Sequence, residues 1–115
     1  MSSKTFFLSY DLGLRGDYSG LYYFLDKYDA KECGGSVAIF RYEVDKKTSF
    51  DEILDRIKQE IEEYVKINEK LDRIYIMGRD NESGNMKGRF IIGRRKESPW
   101  SGYYNSEEVT IDDEI

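Results

Sequence analysis

The side chains that could do chemistry in this sequence are one isolated carboxylate and one basic run. Asp11 ends an apolar and aromatic segment, residues 5–11, and a turn containing two glycines follows it. Residues 84–96 contain no acid and carry the basic run, which consists of Lys87, Arg89, Arg94, Arg95 and Lys96. Asp11 is therefore a candidate metal ligand and catalytic group, and the basic run is a candidate surface for nucleic-acid phosphates.

The composition excludes several kinds of site. The chain has no histidine and one cysteine, Cys33, so metal sites built from thiolates and imidazoles are excluded. The usual general base near neutral pH is also missing. Any catalysis must use carboxylates, Tyr, Lys, Arg or an oxygen-bound cation, and Mg²⁺ is the one cofactor that we consider. We expect Cys33 to be a small buried residue.

The lone cysteine also bears on location. A single cysteine cannot form an internal disulfide, which favours a reducing compartment. No apolar run approaches the roughly 18 residues of a membrane span, and no secretory signal is visible at the start. We therefore expect a cytoplasmic protein without a membrane partner.

The net charge of −5 comes from the end of the chain, where residues 107–115 contain five acids and no base. Without those five, the remaining 18 acids match the 18 lysines and arginines, so a polyanionic ligand is compatible with the body. The acidic tail either covers the basic run or only keeps the chain soluble.

Each candidate residue also has a purely structural interpretation. Asp11 either contributes to a Mg²⁺ site shared by two copies or accepts backbone amides from the turn at residues 13–16. Asp17 is a second possible ligand, although N-capping a helix explains it. The basic run either binds phosphates or protects an edge strand, and strand alternation places Arg89 and Arg95 on one face with Arg94 on the other.

The aromatic segment after Pro99 has two interpretations as well. Trp100, Tyr103 and Tyr104 could stack on bases, or they could pack over an exposed sheet or a second subunit. Large aromatic side chains more often serve the second purpose, so we expect an interface role for these three residues.

Residue periodicity predicts five strands and two helices. The second helix has the clearest signal, because Ser49 and Glu52 form a capping box before an apolar stripe. The predicted strands are residues 5–11, 30–34, 36–44, 72–79 and 87–95, and the predicted helices are residues 17–28 and about 49–65.

This order predicts an α+β fold, a ferredoxin-like βαββαβ sandwich with an extra C-terminal strand. Residues 1–96 form the predicted domain, and residues 97–115 form the aromatic docking segment and the irregular acidic tail. Both helices would cover one side of the sheet. Because apolar residues occupy both faces of the central strands, we expect a homodimer to bury the open side.

Part of the sequence, about residues 5–80, resembles a known family. The segments that carry the resemblance are residues 7–12 (FLSYDL), 16–18 (GDY), 21–22 (LY), 36–40 (SVAIF) and 73–76 (RIYI). They resemble small bacterial proteins related to CRISPR-associated protein Cas-two, including SinR-like proteins and, more distantly, VapD-type toxins.

The resemblance implies a dimeric ferredoxin-like protein, a nuclease or a nucleic-acid-binding scaffold. Some members cleave RNA or DNA with a divalent metal near the aspartate that ends the first strand, here Asp11. This chain has only Arg15 after that aspartate, where many members place a basic or polar run. We therefore expect a nucleic-acid-binding or scaffold protein without strong catalysis. The alternatives are a Mg²⁺-dependent endonuclease using Asp11 from both protomers, or a protein-binding subunit of a toxin–antitoxin or defence complex.

Overall fold

The computed structural model describes residues 2–104. Its elements are β1 (Ser2–Asp11), α1 (Tyr18–Lys27), β2 (Lys31–Glu32), β3 (Val37–Val44), α2 (Phe50–Tyr64), β4 (Arg73–Arg79) and β5 (Met86–Ile92). The predicted order of strands and helices is confirmed. The acidic tail of the prediction lies outside the described residues.

The five strands form one antiparallel sheet in the order β2-β3-β1-β4-β5. The first four strands have the ferredoxin-like arrangement, and β5 extends the sheet beside β4. The central strand, β1, pairs with β3 and β4, so that Phe6 lies opposite both Phe40 and Gly78. Asp11 therefore lies at the end of a central strand, beside Arg73 of β4.

The core lies between the sheet and the two helices. Alternate residues of the central strands point towards the helices, since side chains of a strand alternate between faces. These side chains pack against the apolar sides of α1 and α2. The fully buried residues are Phe6, Leu8, Leu21, Phe24, Ile57, Ile61, Ile74 and Ile76.

The start of α1 is held by Asp17. One carboxylate oxygen accepts the amide of Gly20 at 3.0 Å, and the other accepts the amide of Lys66 at 2.9 Å. These backbone donors, that of Lys66 first, hold the pKa of Asp17 below its usual value. Asp17 is thus the predicted N-cap, and it also ties α1 to the segment after α2.

Close packing of the two helices explains the glycine inside α1. A Cβ atom at Gly20 would lie 2.2 Å from the carbonyl oxygen of Tyr64 at the end of α2. The position therefore excludes any side chain. The close packing of the helices that glycine allows offsets its helix-propensity cost. Ser49 is the N-cap of α2, because its Oγ accepts the amide of Glu52 at 3.2 Å. In place of the second bond of the predicted capping box, Glu52 Oε1 accepts the Ser49 hydroxyl at 3.2 Å.

Candidate functional site

The helix-free face of the sheet carries a row of apolar side chains across its centre. Phe7 of β1 lies opposite Ile39 of β3 and Met77 of β4. Phe7 and Ile39 are half-buried, and Met77 is 40% exposed. We call these three residues the apolar row; Lys31 lies opposite Ile39 at one end of it, and Arg41 and Arg79 lie two residues further along β3 and β4 on the same face.

Next to the apolar row, two aromatic rings lie side by side on the same face. Tyr75 of β4 is opposite Phe90 of β5, and their ring centroids are 4.9 Å apart with the planes at 72°. The missing side chain of Gly88 makes room for Tyr75, because a Cβ atom there would lie 2.6 Å from the tyrosine hydroxyl. The sheet therefore holds both rings in place.

Two arginines lie against these rings. The guanidinium carbon of Arg73 is 5.8 Å from the Phe90 centroid, and that of Arg95 is 5.5 Å from Phe90 and 5.8 Å from Tyr75. Distances within about 6 Å are typical of cation–π contacts. The two arginines thus hold their charges at the edge of the helix-free face.

Asp11 completes this corner of the sheet. Its Oδ2 accepts a hydrogen bond from Arg73 Nη2 at 2.8 Å, and its side chain is 64% exposed. Ser9, Asp11, Arg73, Tyr75, Phe90 and Arg95 together line an open depression of about 230 Å³. We call these six residues the Arg–aromatic site.

The backbone around Asp11 is fixed by another carboxylate, that of the buried Asp72. Its Oδ1 accepts the amide of Gly13, and its Oδ2 accepts the amide of Asn68, each at 2.7 Å. Asp72 thereby joins the turn after β1 to the loop before β4. The alternative role of Asp11 as an acceptor for the turn amides is therefore wrong, because Asp72 has that role and Asp11 pairs with Arg73.

The donors available in one chain do not fit Mg²⁺. Within residues 2–104, no group of three or more His, Cys, Asp or Glu side chains could hold a metal ion. Both oxygens of Asp17 accept backbone amides, and Asp11 is paired with a guanidinium group. A cation next to Asp11 would also lie close to the positive charge of Arg73, which is unfavourable.

The predicted basic run does not form one patch. Lys87 Nζ pairs with Asp80 at 2.8 Å, and Arg89 binds the carboxylates of Asp51 and Asp55 on α2. Arg94, Arg95 and Lys96 follow the end of β5 and are exposed. Three of the five predicted phosphate-binding residues therefore lie together, with Arg95 in the Arg–aromatic site and Arg94 and Lys96 beside it in the chain. The charges of the other two, Lys87 and Arg89, are neutralised by carboxylates.

A bulge explains why the predicted faces of these arginines were wrong. Tyr75 lies opposite Phe90, whereas Ile74 lies opposite Ile92, so Ile91 is an extra residue in β5. Such a residue reverses the alternation. The strand then ends before Gly93, which has a positive φ of 74°. Consequently Arg89 faces α2, and Arg95 lies over the rings on the opposite face.

Cys33 and the aromatic segment are more exposed than expected. Cys33 is an exposed free thiol next to the short strand β2, so the prediction of a buried cysteine is wrong. Trp100 and Tyr103 are each 72% exposed, and Tyr104 is 89% exposed. These rings are not buried over the chain's own sheet, and their role in an interface stays a prediction.

Sequence reasoning missed Arg73, Tyr75 and Phe90 as site residues. A usable signal was present for two of them, because Arg73 and Tyr75 alternate with Ile74 and Ile76 on the same strand. Phe90 carried a weaker signal, because the extra residue Ile91 interrupts the alternation directly after it.

Three comparisons with known proteins found no match. No protein-family model, no curated protein and no solved structure matches this chain. Among the helices of residues 2–104, none is both long and apolar enough to cross a bilayer. The resemblance to the Cas-two group stays a prediction from the sequence.

Proposed function

We propose that this protein is a nucleic-acid-binding module that acts as a homodimer without strong catalysis. The observation that carries the proposal is the Arg–aromatic site, in which two arginines lie against two adjacent rings on an open sheet face. Aromatic rings stack on unpaired bases, and arginines contact phosphates. The ferredoxin-like order of strands supports a relationship to the Cas-two group as part of the same proposal.

The preferred ligand is single-stranded RNA or DNA. Bases inside a duplex keep their faces stacked, whereas unpaired bases can leave the strand and stack on protein rings. The depression at Tyr75 and Phe90 is open to such a base. The exposed Arg94 and Lys96 lie just beyond β5, where they supply positive charge for the sugar–phosphate backbone.

A second copy of the chain is the proposed cover for the apolar row. Phe7, Ile39 and Met77 form a surface whose two copies match each other about a twofold axis, as in most homodimers. The Arg–aromatic site lies beside this row, so that a dimer would carry two sites. The exposed Trp100 and Tyr104 are additional candidates for the contact.

Cytoplasmic location belongs to the same proposal, and it is supported by the unpaired, exposed thiol of Cys33. Cleavage is not part of the proposal, because Asp11 of a single chain is paired with the guanidinium group of Arg73. A purely protein-binding role is the competing outcome of the experiments below.

Binding is tested by fluorescence anisotropy with labelled single-stranded RNA, single-stranded DNA and their duplexes. We expect single strands to bind more tightly, with an affinity that falls as salt rises. The variant Arg94→Glu/Arg95→Glu should bind at least about tenfold more weakly, since two phosphate or stacking contacts become repulsive.

The matched control is Lys46→Glu/Lys47→Glu, which changes the charge equally. Both lysines are exposed and follow β3, at the end of the sheet opposite to Asp11. We expect this control to bind much more like wild type. Absence of binding by wild type, or equal losses in both variants, would reject the site. Cleavage with Mg²⁺ by wild type but not by Asp11→Asn would show an enzyme instead.

The dimer is tested by analytical ultracentrifugation across a range of concentrations. We expect wild type to be dimeric and Met77→Lys to be monomeric, because a charge would replace an apolar contact. Leu14→Lys is the control, since Leu14 is 97% exposed in the turn after β1. A wild-type monomer at high concentration would reject the dimer.

A further inference from the structure

We propose that the Arg–aromatic site binds one unpaired guanine base, which Asp11 and Arg73 read by hydrogen bonds. This inference rests on the proposed function and names the ligand of the same site. It assigns Asp11 to base recognition, and no metal is involved.

The size and the walls of the depression suit a single base. Its volume of about 230 Å³ is below the roughly 300–1,000 Å³ typical of pockets for larger ligands. Tyr75 and Phe90 provide two apolar rings inclined at 72° to each other, so that a base can stack on one ring and meet the other at its edge. The guanidinium of Arg95 lies 5.5 Å from the Phe90 centroid. That cation is planar, as a base is, and it lies against the same two rings. A base entering the site would displace Arg95 towards the adjacent phosphate.

The pairing of Asp11 with Arg73 determines which base is favoured. Asp11 Oδ2 accepts from Arg73 Nη2, and Oδ1 makes no hydrogen bond within the described residues. An ionised carboxylate can only accept, and a guanidinium can only donate. The corner therefore presents an acceptor beside a donor, both at the edge of the stacking surface.

Guanine has the complementary edge. Its N1–H and exocyclic N2–H₂ are adjacent donors, and its O6 is an acceptor next to them. The carboxylate would accept from the two donors while Arg73 donates to O6. Adenine and cytosine place a ring nitrogen lone pair beside their amino group, and uracil places a carbonyl on each side of N3–H. Each of those bases would bring a lone pair against Asp11.

The experiment uses a labelled oligouridine with one central nucleotide changed to guanosine, inosine or adenosine. Wild-type protein should bind the guanosine strand about tenfold more tightly than the adenosine strand, as expected for two-point base recognition. Inosine lacks the exocyclic amine and should fall between them. This comparison tests the contact from the ligand side without any protein variant.

The protein side is tested with Asp11→Asn. We expect this variant to lose the guanosine preference, so that its affinities for the guanosine and adenosine strands agree within about twofold. Asp26→Asn, an exposed change on α1, should keep the preference. Equal affinity of wild type for guanosine and adenosine strands, or a preference that survives in Asp11→Asn, would overturn the inference. Failure of plain oligouridine to bind would instead reject the proposed function.

Discussion

The two faces of the sheet are built from alternate residues of the same strands, yet they differ in burial and in charge. On the helix-covered face, Phe6, Leu8 and Ile76 are fully buried. On the helix-free face, their neighbours Phe7 and Tyr75 are only half-buried, and charged residues lie among them. The first face stabilises the fold, and the second carries the proposed ligand site.

The largest expected difference between the faces is in stability. Ile76→Ala should lower the free energy of unfolding by about 2–5 kcal/mol, because it leaves a cavity in the core. Met77→Ala, one residue further along β4, should stay within about 1 kcal/mol of wild type at protein concentrations low enough to keep the chain monomeric. Urea unfolding measures both. Equal losses would mean that the helix-free face is as much a core as the other.

The next effect concerns the helix layer that makes the faces different. Gly20→Ala should destabilise the protein by about 1–3 kcal/mol, because overpacking against the Tyr64 carbonyl outweighs the gain in helix propensity. Gly35→Ala is the control, since a Cβ atom there meets nothing within 4 Å. Thermal unfolding of both variants and of wild type measures the change in stability. A more stable Gly20→Ala protein would show that the helices do not pack this closely.

A smaller effect should appear on the helix-free face alone. Gly88→Ala would push the Tyr75 ring from its position, because the new Cβ atom would lie 2.6 Å from the hydroxyl. We expect single-stranded oligonucleotide to bind about fivefold more weakly, as for partial loss of one base-stacking contact. The melting temperature should change little. Unaltered affinity, measured by anisotropy beside Gly35→Ala, would remove Tyr75 from the site.

The smallest effect concerns one aspartate at the end of a strand. Asp80, just after β4, accepts hydrogen bonds from Lys87, Glu82 N–H and Ser83, and these, that of Lys87 first, lower its pKa. Since the folded-state pKa is below the unfolded value of about 3.9, Asp80 stabilises the fold at neutral pH. This contribution is lost as pH falls through the folded-state pKa.

Asp80→Asn should therefore be less stable than wild type at neutral pH, and the difference should shrink in acid. Urea unfolding at neutral pH and near pH ~3 measures the change. A difference in unfolding free energy that is the same at both pH values would contradict the stabilising role of the ionised Asp80 carboxylate.

Much of the fold could be predicted because its signals are local. As caps, Asp17 accepts the amide of Gly20 and Ser49 accepts that of Glu52, in each case three residues along the chain. Alternation in β1 and β4 likewise predicted a central apolar sheet. Such patterns are decided by neighbours in sequence, so they can be read without the tertiary structure.

The site could be predicted only in part, because it depends on contacts between distant segments. Asp11 was identified, but its partner Arg73 is 62 residues away. No local pattern shows that Asp72 holds the turn at Gly13, or that Arg89 is neutralised by α2. The extra residue in β5 reversed the face of Arg95, and a single-residue bulge has no clear signature in this sequence.

The most direct test of the central claim is an NMR titration of the protein with plain single-stranded oligouridine. Binding at the Arg–aromatic site predicts the largest shift changes at Tyr75, Phe90 and Arg95, with little change in the solvent-exposed sides of α1 and α2. Changes centred on the helices, or no changes at concentrations where other nucleic-acid-binding modules saturate, would contradict the assignment of recognition to the helix-free face.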